Sequence, residues 1–175
     1  MRSFFPPLAA ALRLCASTAF AQVSVIGNSY ARECSTEARS DGANAAPCDR
    51  SLEGEMLIGR DLAATYVNRA VVRTNARHMA AALTDLKRAE SLRPELGEIY
   101  ASRGNVFFYQ DSFEEALAEY DRGIAAGMKQ LHAAHYDRGL ALERLGRINE
   151  AKEAFRRSIA LAPEFKLAKV RLSLY

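Results

Sequence analysis

The chain has 175 residues, of which 49% are hydrophobic and 26% charged. That is enough for one ordinary domain, and the balance is neither that of a disordered chain nor of a membrane-embedded one. Trp is absent, Pro numbers only 5, and the formal net charge is +3. A composition rich in Ala, Leu, Arg and Glu suits helix, and so small a charge leaves no footprint for nucleic acid.

Residues 1–21, MRSFFPPLAAALRLCASTAFA, contain no Asp or Glu. Arg2 gives a positive start, an apolar stretch follows, and Ala19-Phe20-Ala21 supplies a small-x-small site. This reads as a secretory signal peptide cleaved after Ala21, which predicts a periplasmic or secreted protein. Pro6-Pro7 and Arg13 interrupt the run, and an organellar transit peptide is the competing reading. The stretch is too short to span a bilayer. Leu14 precedes Cys15, where lipidation of a bacterial signal needs a small residue, so Cys15 leaves with the signal. Cleavage takes Arg2 and Arg13 and no acid, so the charge falls from +3 to +1. No later stretch has the length and apolarity of a membrane span.

Residues 22–62 predict two helices. The first runs from Tyr30 to Arg39, ARSDGAN reads as a turn, and Asn44 is a cap for the second. Pro47 falls in that helix's first turn, where backbone N–H groups have no intrahelical partner. Gly59 is expected to end it and Asp61 to cap the next helix.

From residue 63 onward the chain repeats itself. Tyr136-Asp137-Arg138-Gly139, Leu142, Gly146, Ala151, Phe155 and Pro163 form the last copy. Ala101-Ser102-Arg103-Gly104, Phe107, Asp111, Ala116 and Tyr120 stand 35 residues earlier, and Val67-Asn68-Arg69-Ala70, Arg77, Ala82 and Leu86 another 34. The pattern resembles the tetratricopeptide repeat, W-x2-L-G-x2-Y, A-x3-F and P. Gly104 with Phe107, Gly139 with Leu142, Ala116-x3-Tyr120, Ala151-x3-Phe155, Pro94 and Pro163 carry the resemblance. Ala70 replaces the glycine in the first copy, and Met128 stands where the second would have proline. The resemblance implies an all-α solenoid of antiparallel helix pairs: a degenerate repeat over 22–62, full repeats over 63–96, 97–131 and 132–165, and a capping helix over 166–175. Small residues at Gly139 and Ala151 let two backbones approach, and Phe155 fills the space beside them. Gly146 closes one helix and Pro163 stops another, while Ser112-Phe113-Glu114-Glu115 reads as a capping box. In the last segment Leu167, Val170 and Leu174 share one face.

Charge alternates along the units. Residues 22–62, 63–96, 97–131 and 132–175 carry −3, +3, −3 and +4. Arg69, Arg103 and Arg138 recur in register, as a packing or capping contact made in every repeat or, less simply, as an anion ladder.

Catalytic constellations are not found: there is no P-loop, G-x-G-x-x-G, G-x-S-x-G or H-E-x-x-H. His132 and His135 share a helix face but lack a third ligand. No cofactor or metal is therefore expected, nor an enzyme. The family resemblance implies instead a scaffold that binds a protein or peptide segment in a concave groove. Transferred by register, the groove would show Asn68, Asn75, Ser102, Asn105, Phe108, Tyr109, Tyr136, Asp137 and Arg144. Chaperone-tail binding through paired asparagines is disfavoured, because Ser102 and Asp137 replace them and the lysines are missing. An accessory subunit of an envelope enzyme, or a redox or metal carrier, is the alternative.

Cys34 and Cys48 are the only cysteines beyond the signal. Zinc needs about four ligands, and a redox dithiol usually shows C-x-x-C. An oxidising compartment favours a disulfide between them. Closing this loop stabilises by roughly 3 kcal/mol in the chain-entropy picture.

Overall fold

The computed structural model describes residues 29–175. The signal-peptide expectation for residues 1–21 lies outside them. The described residues form nine helices: α1 Ser29–Arg39, α2 Ala46–Gly54, α3 Gly59–Asn75, α4 Met79–Leu92, α5 Gly97–Tyr109, α6 Phe113–Ala125, α7 Leu131–Arg144, α8 Ile148–Leu161 and α9 Lys166–Leu172. No strand occurs among the described residues. None of their helices is long and apolar enough to cross a membrane.

Successive helices pair as antiparallel hairpins, α1 with α2, α3 with α4, α5 with α6 and α7 with α8. The odd-numbered helices also touch one another in sequence, α1 on α3, α3 on α5 and α5 on α7, and α9 lies on α8. The result is a stack of hairpins, an α-solenoid in which each unit buries its apolar face against the next.

The four hairpin turns are built alike. A backbone N–H reaches back five residues at each: Gly42 to Glu37, His78 to Arg73, Ser112 to Phe107 and Arg147 to Leu142. One left-handed residue makes this reach possible in each turn: Asp41 at φ 56°, Arg77 at 64°, Asp111 at 59° and Gly146 at 74°. Gly146 is the only one of these four that pays no Cβ penalty there. The first hairpin therefore shares the backbone geometry of the other three, although its sequence shares little with them.

Within α7–α8 the small-to-large packing is direct. A Cβ on Gly139 would stand 2.5 Å from Phe155 Cε1, so only hydrogen fits. Gly104 faces Tyr120 in the same way, at 2.6 Å from Cε1. In α3–α4 the pair becomes Ala70 and Leu86, both fully buried. A larger residue on one helix is matched by a smaller one on its partner, which preserves the filled volume.

Three local expectations need correction. Gly54, not Gly59, ends α2, and Gly59 opens α3 with φ 55°. Asp61 lies in the first turn of α3, and Ile58 is its N-cap. Ser112 precedes α6, but its side chain makes no capping hydrogen bond. Asn44 does act at the start of α2, where its Oδ1 accepts from Ala46 N–H at 3.1 Å.

Candidate functional site

Two of the recurring arginines tie three helices together, and the third ties two. Arg69 on α3 donates to both oxygens of Asp85 on α4, at 3.0 and 2.7 Å, and to Asp49 on α2 at 2.8 Å. Arg103 on α5 donates to Glu119 on α6 at 2.9 Å and to Glu90 on α4 at 2.8 Å. Its hydrogen bond holds the Glu90 carboxyl below the usual carboxylate range. Arg138 on α7 donates to Asp121 on α6 at 2.6 Å. The position on α8 that would match Asp85 and Glu119 is Ala154, so this third arginine grips only the preceding unit. The packing reading of these residues is the one the geometry favours, since each guanidinium shown here is engaged by carboxylates.

The first hairpin is closed by the disulfide between Cys34 on α1 and Cys48 on α2, whose Cα atoms are 4.6 Å apart. Both cysteines are fully buried, beside Ala38 and Val72. No group of three or more His, Cys, Asp or Glu able to hold a metal occurs among the described residues. His132 packs edge-on against Phe165, with ring centroids 5.1 Å apart. Burial, and then Arg138 and Arg157, lower the His135 pKa.

The nine residues expected in the groove divide into two sets. Asn68, Ser102 and Asp137 are each no more than 2% exposed. They occupy the same register position, on the face of each odd helix turned toward the preceding unit. On that face of α3, Thr65 O lies 4.0 Å from Cys34 Sγ, and Val72 packs with Cys34 and Ala38 of α1. Helical spacing puts Asn68 between them. The amide of Asn68, the hydroxyl of Ser102 and the carboxylate of Asp137 have no hydrogen-bond partner among the described residues. Burial alone pushes the Asp137 pKa well above the usual carboxylate range. Phe108 and Tyr136 are buried too, Phe108 against Phe113 and Tyr136 against Phe155 and Phe165.

Asn75, Asn105, Tyr109 and Arg144 are the accessible set. Asn75 Nδ2 donates to Gly42 O at 3.1 Å, and Asn105 Oδ1 accepts from Tyr120 O–H at 2.8 Å. The Arg77 guanidinium lies over the Tyr109 ring at 4.4 Å. Arg144 lies over Phe113 at 4.5 Å and pairs with Asp111 at 3.2 Å. Arg77 was expected in the repeat pattern and not in the groove. Its signal was present, a cationic residue at a turn position followed one repeat later by an acid.

The family model described as tetratricopeptide repeat matches residues 132–165. The matched stretch spans α7 and α8. Solved tetratricopeptide structures share its fold. The first TPR of Spaghetti (RPAP3), bound to HSP90 peptide SRMEEVD, superposes with a TM-score of 0.61 at 18% identity, covering 67% of this chain and 93% of that one. The Arabidopsis OM64 TPR domain gives 0.55 at 25% identity, covering 59% and 85%. MamA gives 0.62 at 20% identity, covering 87% and 84%. No curated protein matches the sequence. In this fold the odd-numbered helices form one layer, and each even-numbered helix packs on its own odd-numbered partner.

Proposed function

We propose that this protein is an exported, non-catalytic scaffold that holds a protein or peptide segment along the layer formed by α3, α5 and α7, in the service of cell-envelope assembly. The observation that carries the reading is the accessible set on those three helices. Asn75, Asn105, Tyr109 and Arg144 combine amides, an aromatic ring and a guanidinium, with no acid–base pair or metal set beside them. Amides hydrogen-bond an extended backbone, and an aromatic ring covers an apolar side chain. The buried disulfide supports the exported address, because oxidising compartments form and keep such bonds.

A chaperone-tail ligand like the one bound to Spaghetti is not part of this proposal. Asn68, Ser102 and Asp137 hold the register positions that such a clamp would use, and all three are buried. A redox or metal role for Cys34 and Cys48 has little support either, since both sulfurs are buried and bonded to each other.

The test is photo-crosslinking in the native compartment, with the crosslinking residue at Tyr109 in one variant and at exposed Arg156 on α8 in another. The proposal expects a discrete adduct from position 109 and none from 156. Adducts from 156 alone would put the binding face on the other layer and end the groove assignment.

A further inference from the structure

The large side chain that the even helix sends toward the small residue of its partner differs between units. It is Leu86 in α3–α4, Tyr120 in α5–α6 and Phe155 in α7–α8. The residue that follows the small one on the odd helix is Val71, Asn105 and Leu140 in the same order. Two of these units therefore pair apolar with apolar, and α5–α6 pairs a hydroxyl with an amide. Tyr120 is 1% exposed, and its ring lies against Gly104. The ring carries its hydroxyl past Gly104 to Asn105, whose Oδ1 accepts the O–H at 2.8 Å. Packing does not require this pair, because Phe155 and Leu140 fill the equivalent space in the last unit without either polar group.

Asn105 itself is half-buried. An Asn amide is flat, with an acceptor oxygen on one side and two N–H donors on the other. With Oδ1 turned inward to the core hydroxyl, Nδ2 is turned away from the core. This amide makes no other hydrogen bond among the described residues. An Asn side chain that nothing holds samples several rotamers, and ordering it costs entropy when a ligand arrives. The buried ring of Tyr120 removes that cost beforehand. Tyr109 stands one turn further along α5, on the same face of the helix as Asn105.

We infer that Tyr120 is a positioning residue for the groove: it fixes the Asn105 amide with its N–H donors outward, so that the bound segment meets α5 through a backbone carbonyl oxygen. This rests on the groove reading above and gives that reading a polarity. The ligand must offer an acceptor at α5, and the ring at Tyr109 covers the side chain beside it. Val71 and Leu140 hold the equivalent place in the flanking units and cannot make this contact. The polar anchor of the groove therefore falls in the unit formed by α5 and α6.

The test measures adduct yield, relative to protein amount, from the photo-crosslinking residue at Tyr109 in the native compartment, across a series of variants. Tyr120→Phe is expected to lower the yield about fivefold, the worth of one neutral hydrogen bond. Asn105→Leu is expected to lower it at least as far. Adding Tyr120→Phe to Asn105→Leu reproduces the Leu140 and Phe155 pair of the last unit, so that double variant keeps its fold, as a thermal melt checks. Its yield is expected to equal that of Asn105→Leu alone, since Tyr120 acts only through the amide. Asn105→Asp keeps an acceptor for the hydroxyl and loses the donors, so its yield is expected to fall with that of Asn105→Leu. No adduct from position 109 in the otherwise unchanged chain removes the groove reading and this inference with it. An adduct that Tyr120→Phe leaves unchanged, or lowers equally with and without Asn105, overturns the inference and leaves the groove reading standing. So does an adduct that Asn105→Asp preserves, because the ligand group at α5 would then be a donor.

Discussion

The first hairpin and the last repeat have the same backbone and different means of holding it. Both turn through a left-handed residue, Asp41 in one and Gly146 in the other. In α7–α8 the two helices meet through Gly139 and Phe155, with Tyr136 and Phe165 stacked beyond. In α1–α2 the meeting residues are Ala38, Cys34 and Cys48, and no aromatic ring fills the gap. A covalent bond does there what a buried ring does in the last repeat. The lesson is that the fold of the unit is set by turn geometry and stacking, while the source of its cohesion is free to change.

This contrast can be broken from either side. Phe155→Ala removes the ring that Gly139 was shaped to receive. We expect a loss of about 3–5 kcal/mol in urea unfolding, with amide protection falling first in α7 and α8. Replacing Cys34 and Cys48 by Ala should cost roughly 3 kcal/mol by the loop-entropy argument. Hydrogen exchange should then rise across α1 and α2 and leave α7 and α8 as they were. If both variants loosened both regions equally, the units would not be independently held.

Asp137 sharpens the comparison through pH. Its pKa in the folded protein is raised by burial, so the folded state keeps a proton that the unfolded state gives up near the ordinary value of about 3.9. Between that value and the raised folded one, the unfolded state binds fewer protons, and stability falls as pH rises. The slope should approach about 1.4 kcal/mol per pH unit. Asp137→Asn should remove that slope, as read from melts between pH 4 and 7, because an amide such as that of Asn68 at the same register position on α3 does not titrate. The smallest effect concerns the turns. Gly146→Ala should cost about 1 kcal/mol, and Asp41→Gly should gain a few tenths, because only glycine adopts the left-handed region freely.

Much of this was legible in the residues. Gly139 with Phe155, Gly104 with Tyr120 and the turn at Gly146 follow from a periodic pattern whose physical cause is local. The pairing of Cys34 with Cys48 followed from their isolation. The groove was legible only in part. Register says which residues occupy equivalent positions, and it does not say how closely neighbouring odd helices come together. Asn68, Ser102 and Asp137 are polar and so read as facing solvent, yet stacking buries all three. Ser112 shows the same limit at shorter range: its sequence signature is present, and the α6 N-terminus forms without its side-chain hydrogen bond.

The recurring arginine has a direction. Arg69 reaches back to Asp49, Arg103 to Glu90 and Arg138 to Asp121, in each case to the second helix of the unit made before it. No unit needs a later one to supply this anchor. A chain that emerges from its N-terminus can therefore lock hairpin upon hairpin in the order of synthesis, each new arginine finding its carboxylate already in place.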